Sequence, residues 1–304
     1  MLKNLVIVGI FLFLGLLASL SYIFLGYKED LAKQNEPKKM VKLRGSEGEV
    51  AGIQLRKIGD IDLTSVTAES ILIYHYPENE IVFERNSMVK RKVASLTKLI
   101  TTLVAIDVFP SGHYIKASVG ATGTLPEIGI KTGDEYLASD LLLSMMVGSA
   151  NDATQAVARD VERLTGKKIS DLMNEKALEL SMRDSRFDNP NGYDSQDNYS
   201  TAQDMAKAVH VLLTRGYNMI YGRQKEVSSL ATGGDLVQMS TNLTTIDDQT
   251  YLIKTGHTDQ AKDNLIALTE DGHHKFIYII LGSKDREKDF ALLKYQIQKN
   301  YISQ

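Results

Sequence analysis

Apolar and polar positions divide the chain into three stretches of different character. Residues 5–25 (LVIVGIFLFLGLLASLSYIFL) carry no charge, and a run of ~20 such residues matches a membrane-spanning helix. A cleaved secretory signal would have an apolar core of only ~7–15 residues closed by a small-x-small site, so an uncleaved anchor is expected over residues 1–27. Residues 28–60 are polar and charged, with Gly45, Gly48, Gly52 and Gly59, the composition of a linker. A globular domain is expected over 61–304.

Within that domain the period of the apolar positions changes twice. Residues 70–76 (SILIYHY) and 81–84 are β-rich and flank Pro77-Glu78-Asn79-Glu80, which predicts a hairpin. From 95 to 108 the spacing is helical, and Pro110 stops it. Residues 139–164 form a helical block interrupted near Gly148 and closed by Gly166, and helices follow at 170–180 and 200–213. The last of these has Ser200 or Thr201 as its cap and Asp204 in its first turn. Beyond Gly216 the pattern returns to strands at 251–254, 264–268 and 275–281, the last two joined through Glu270-Asp271-Gly272-His273. An amphipathic helix over 285–301 ends the pattern. Strands at both ends of the domain around a helical block predict an α/β sandwich, a sheet flanked by helices with an inserted helical subdomain.

Composition narrows the chemistry more than the fold. With 43% hydrophobic and 24% charged residues the chain has ample material for a core, and its net charge of −3 gives no reason to expect nucleic acid. The absence of cysteine excludes disulfides, thiolate catalysis, cysteine-ligated zinc and a lipid-modified cysteine. The six histidines (75, 113, 210, 257, 273 and 274) lack metal-ligand spacing, so neither a metal nor a cofactor is expected.

Three short motifs carry chemistry. Ser95-Leu96-Thr97-Lys98 opens the first helix, and residues three apart share a helix face, so hydroxyl and ammonium become neighbours. A serine at a helix N-terminus sits in a field that favours a developing oxyanion. The lysine can act as a base only if burial or a second cation depresses its pKa. Ser149-Ala150-Asn151 falls at the break in the helical block, where Ser149 can relay a proton and Asn151 can donate to a substrate carbonyl or to Lys98. Lys254-Thr255-Gly256 lies on a strand of the closing sheet. It offers a second cation, a hydroxyl for a substrate carboxylate, and a glycine that lets substrate backbone come close. Each motif alone reads equally as a helix cap, a loop serine or a strand ending at glycine. In the order S-x-x-K, S-x-N, K-T-G they form the set of β-lactamases and penicillin-binding proteins.

The chain resembles the D-alanyl-D-alanine carboxypeptidases, the low-molecular-mass penicillin-binding proteins. The stretches that carry the resemblance are 94–106 (ASLTKLITTLVAI), 173–206 (MNEKALELSMRDSRFDNPNGYDSQDNYSTAQDMA) and 254–268 (KTGHTDQAKDNLIAL), and it covers about residues 66–301. It implies a β-lactamase/transpeptidase-like sandwich and an acyl-enzyme mechanism. Ser95 would attack the carbonyl between two terminal D-alanines, Lys98 would take its proton, and Ser149, Asn151 and Lys254 would complete the catalytic set. Thr255, Gly256, His257 and Arg286 would bind substrate. The backbone N–H groups of Ser95 and His257 would form the oxyanion hole, and Arg286, with Lys284 close by, would hold the terminal carboxylate. Implied partners are peptidoglycan stem peptides and β-lactams as covalent inhibitors.

The sequence departs from the family pattern at Ala150 and Lys262, where glycine is commoner, and at Tyr251-Leu252-Ile253, where an Asp-Gly pair often precedes the third motif. A class A β-lactamase would also need a deacylating glutamate in an E-x-x-L-N segment, which is missing between Asn151 and Lys254. An endopeptidase acting on cross-linked peptides would use the same machinery. An inactive scaffold would not need all three motifs intact. Lys28, Lys33, Lys38, Lys39, Lys42 and Arg44 follow the apolar run and only Lys3 precedes it, which by the positive-inside rule favours a cytoplasmic domain. Long domains translocate regardless of such charge, and the implied substrate lies outside. The expectation is therefore a single-pass anchor in the cytoplasmic membrane with the catalytic domain extracytoplasmic.

Overall fold

The computed structural model describes residues 55–57, 59–118, 120, 122–215, 226–230, 236–240, 247, 249–272 and 274–303. The expected anchor therefore lies outside the described residues. Among the described residues no helix is long and apolar enough to cross a membrane.

The framework is an antiparallel sheet of five strands: β2 (Ser70–Tyr76), β3 (Glu80–Arg85), β8 (Thr250–Thr258), β9 (Lys262–Asp271) and β10 (His274–Ser283), in the order β3-β2-β10-β9-β8. The central strands read as continuous apolar runs because both faces of the sheet are covered. Alternate residues part company. Ile71 and Ile73 of β2, Leu265 and Ala267 of β9, and Phe276, Tyr278 and Ile280 of β10 join one core with Phe290, Leu293 and Ile297. Leu72, Tyr74, Ile266, Leu268, Ile277, Ile279 and Leu281 join the other, which is filled by the helical block. The helix on the first side is α6 (Arg286–Asn300); the core on the second side is shared with α1 (Lys98–Val108), α2 (Ala138–Val147), α3 (Asn151–Thr165), α4 (Ile169–Glu179) and α5 (Ala202–Thr214). Thr201 caps α5, its Oγ1 accepting from Asp204 N at 3.0 Å, and Asp285 caps α6 by accepting from Lys288 N at 3.0 Å.

Four features differ from the sequence reading. Ser95 is not in an α-helical turn: Ala94–Thr97 is a 3-10 turn, and α1 begins at Lys98. In a 3-10 turn residues three apart eclipse one another, so Ser95 and Lys98 still share a face. The strand expected to end at 254 runs on to Thr258, which places the whole Lys254-Thr255-Gly256 motif inside β8. Within the stretch read as linker, β1 (Leu55–Lys57) pairs antiparallel with the terminal β11 (Tyr301–Ser303). The antiparallel strand pairs β4 (Tyr114–Lys116) with β5 (Glu135–Leu137) and β6 (Glu226–Leu230) with β7 (Leu236–Ser240) had no sequence counterpart.

Candidate active site

The Ser95 turn is shaped by close packing. Ala94 sits in the left-handed region (φ 48°) and is buried, which reverses the chain just before the serine. Two glycines from distant segments press on this reversal. A Cβ on Gly192 (φ 87°) would lie 1.9 Å from Ala94 O, and one on Gly256 would lie 2.9 Å from Val93 O and 3.0 Å from Ser95 N. The sequence reading assigned Gly256 to close approach of substrate backbone. In the structure the group that approaches it is the Ser95 turn itself, so the glycine brings Ser95 N–H against β8 beside His257. Gly192→Ala is expected to lose about 2–4 kcal/mol of stability, through steric overlap and positive φ together. Thermal unfolding reads that loss.

Lys98 is fully buried, and its Nζ has three neighbours: Ser95 Oγ at 3.0 Å, Asn151 Oδ1 at 3.0 Å and the backbone carbonyl of Asn191 at 2.8 Å. The amide of Asn151 is fixed the way round that makes Oδ1 an acceptor, because its Nδ2 donates to the carbonyls of Thr124 (2.8 Å) and Leu125 (3.2 Å). Asn151 therefore accepts from Lys98, the reverse of the donor role read from sequence. Asn191 locks the arrangement by donating from Nδ2 to Asn151 O (3.1 Å) and Oδ1 (3.0 Å) and accepting from Gln155 Nε2 (2.5 Å). The neighbouring Asp152 is buried too, and its carboxylate collects the N–H groups of Ile128, Gly129 and Ile130. Two consecutive side chains at the start of α3 thus pin the 124–130 loop beside the site.

Burial holds the Lys98 ammonium well below the usual lysine value, and the neighbouring Lys254 cation lowers it further. Two of the three Nζ neighbours are carbonyl oxygens, which can only accept; once the amine is neutral they can take both of its N–H groups and leave its lone pair for the Ser95 hydroxyl.

Lys254 is also fully buried and donates to Thr255 O at 2.8 Å; burial first, then the Arg286 charge, push it down to about 7. Its unfolded value stays near ~10.4. Between the two values the unfolded chain binds a proton that the folded chain does not, so stability falls as pH drops from about 10 toward 7. Lys254→Met removes that penalty. It should stabilise the protein by a few kcal/mol, roughly, at neutral pH, with the gain shrinking as pH approaches ~10. A melting-temperature difference that does not change between pH 7 and 10 would contradict this.

The remaining expected residues stand as follows. Ser149 is half-buried at the α2–α3 break in a left-handed conformation (φ 59°), while Asn151 is the member of its motif bonded to Lys98. Thr255 is half-buried on β8, and His257 is exposed, its Nδ1 2.8 Å from Asp263 Oδ1. Arg286 Nη1 donates to the same Asp263 oxygen at 3.0 Å and to Gly256 O at 3.3 Å, so it lies against the third motif but is held by a carboxylate. Lys284 is exposed. Asn191, Gly192, Gln155, Asp152 and Asp263 were not singled out from sequence. The signal for the first two was present in the turn-forming run Asn189-Pro190-Asn191-Gly192. Among the described residues no group of three or more His, Asp or Glu side chains could hold a metal ion.

A model of the D-alanyl-D-alanine carboxypeptidase family matches residues 59–285. The chain is 29% identical, over 72% of its length, to the D-alanyl-D-alanine carboxypeptidase DacA of Escherichia coli (strain K12), and spans 57% of that relative. The fold matches the crystal structure of D-alanyl-D-alanine carboxypeptidase from Mycobacterium tuberculosis with a TM-score of 0.70 at 19% identity, covering 80% of this chain and 96% of that one. It matches penicillin-binding protein D2 from Listeria monocytogenes in its cefotaxime-bound form with a TM-score of 0.65 at 22% identity, over 77% of this chain and 96% of that one.

Proposed function

Because the chain belongs to the D-alanyl-D-alanine carboxypeptidase family, we propose that it is a serine hydrolase that removes the terminal D-alanine from peptidoglycan stem peptides. The observation that carries this reading is the Lys98 environment, a fully buried amine with its pKa pushed down by burial, set between two fixed carbonyl acceptors and 3.0 Å from the Ser95 hydroxyl.

In the proposed reaction Ser95 Oγ attacks the carbonyl between the two D-alanines and its proton passes to Lys98 Nζ. The N–H groups of Ser95 and His257 receive the oxyanion. The C–N bond then breaks, the proton is delivered to the departing amine, and free D-alanine leaves an ester on Ser95. Water attacks that ester, giving up one proton through Lys98 to Ser95 Oγ and leaving the shortened peptide as a carboxylic acid. Lys254 and Thr255 face the C-terminal carboxylate, with Arg286 behind them. Ser149 is the candidate relay to the leaving amine. A β-lactam, whose strained amide replaces the D-alanyl-D-alanine bond, would acylate Ser95 in the same way; the Listeria protein of this fold is cefotaxime-bound.

Attachment to the cytoplasmic membrane through residues 5–25, with the catalytic domain outside, belongs to the same reading and rests on the uncharged apolar run. The function is tested by incubating the protein with a pentapeptide ending in D-alanyl-D-alanine and measuring D-alanine. Release in stoichiometric excess over enzyme is expected. No release, with cleavage of cross-linked dimers instead, would mark an endopeptidase.

A further inference from the structure

Beyond the end of β8 the structure holds a pocket of about 340 Å³ that the reaction above does not use. Its lining includes four cations, Lys90, Arg91, Lys92 and Lys262, against one carboxylate, Glu69, in a chain whose net charge is −3. The Glu69 carboxylate bridges two of them, one oxygen on Arg91 and the other on Lys262. Lys90 faces Asp184 at 3.4 Å and lies 5.2 Å from the Tyr199 ring centroid, and Lys92 Nζ donates to the carbonyls of Ser195 and Gln196. Burial lowers the Arg91 pKa, and its Nε is buried without a partner. Lys262 adopts a left-handed backbone (φ 58°) that glycine would take without strain. A bulky cation is thus kept, at a cost in backbone energy, at the rim of an electropositive pocket.

The position of the pocket says what reaches it. If the substrate's terminal carboxylate lies at Thr255 and its scissile carbonyl at the His257 N–H, the acyl part continues along β8 toward Thr258 and the turn that leads to Lys262. At about 3.3 Å per extended residue, the turn is reached roughly two to four residues before the scissile bond. Asp194 ties that turn to the loop on the far side, accepting from Thr258 Oγ1 at 2.7 Å and from Gln260 N at 3.4 Å, so the rim is held in place.

We propose that this pocket is an acyl-side subsite that receives a carboxylate of an acidic peptide substrate, with Arg91 and Lys262 as its ligands. Glu69 shows that one carboxylate can bridge the two cations, and a substrate carboxylate would share them with it or displace it. The inference rests on the carboxypeptidase reading for the direction of the substrate, while the pocket's charge does not depend on it.

The test uses the full chain carrying Ser95→Ala, so that peptide binds without turnover, and reads affinity by fluorescence anisotropy. The probes are a labelled peptide ending in D-alanyl-D-alanine with one free carboxylate three residues before the scissile bond, and its carboxamide counterpart. The carboxylate peptide is expected to bind about tenfold more tightly, the worth of one charge-assisted contact, and less so as salt rises. Adding Lys262→Gly should abolish the preference; glycine suits the left-handed backbone, and thermal melting reads whether the fold is kept. Arg91→Gln should reduce it as well. Equal binding of the two peptides would overturn the proposal, as would a preference that survives Lys262→Gly. Displacement of the probe by a glycerol-phosphate oligomer at lower concentration than by free carboxylate peptide would assign the pocket to a phosphate polymer instead. Failure of the carboxypeptidase reading shows separately, as an unsubstituted protein that neither forms a penicillin adduct nor releases D-alanine while the carboxylate preference persists.

Discussion

Ser95→Ala is expected to abolish covalent labelling by a fluorescent penicillin and to lower D-alanine release by about 10⁴-fold or more. Three observations support Ser95 as the nucleophile of the proposed reaction. Its hydroxyl is the only non-carbonyl oxygen among the three neighbours of Lys98 Nζ. The left-handed Ala94, clamped between Gly192 and Gly256, directs it toward β8. Its own N–H lies against the strand that carries His257, so attack and oxyanion stabilisation share one turn. The substitution removes one oxygen from a half-buried position and leaves the Lys98 contacts to Asn151 and Asn191 in place, so the melting temperature should barely move. A labelled adduct in Ser95→Ala, located by peptide mapping on Ser149 or any other hydroxyl, would sink the assignment.

What was legible in the sequence follows a physical divide. Ser95, Lys98, Ser149, Asn151, Lys254 and Thr255 announce themselves because their chemistry resides in side chains and their motifs are contiguous. The carbonyl of Asn191 on Lys98 could not be read that way, since every residue has a carbonyl and only the fold decides which one points inward. The clamp on Ala94 was hidden for the same reason: Gly192 and Gly256 come from a loop and a strand that meet only in three dimensions. The central strands were visible as apolar runs, being buried on both faces. The later half of β8 was not, because Thr255, His257 and Thr258 are polar and none of them is buried in a core. Strands of three residues, such as β4, β5 and β11, are too short to display a period of two. Arg286 was found by its place after the last sheet strand, but its commitment to Asp263 needed coordinates.

Lys98→Arg should be nearly as damaging as loss of the nucleophile, with acylation slowed by about 10²–10⁴-fold although the charge is conserved. The reasoning turns on the protonation state. The Lys98 amine is fully buried beside a second buried lysine, and both effects favour its neutral form. A guanidinium does not surrender its proton at any working pH, so it cannot accept one from Ser95. It is also planar and longer, and would have to satisfy five donors in a cavity that offers three acceptors. The pH profile separates the chemical effect from a packing effect. In the unsubstituted protein acylation should rise with pH as Lys98 loses its proton, along a limb lying well below the ordinary lysine range. In Lys98→Arg that limb should vanish, leaving a slow rate without it. Lys98→Met, which fills similar volume without a titrating group, should show the same flat profile together with a melting temperature at or above that of the parent, because a buried amine has been removed. Near-normal acylation in Lys98→Arg, or a retained acidic limb in Lys98→Met, would show that the base is another group and that the lone pair facing Ser95 is not what activates it.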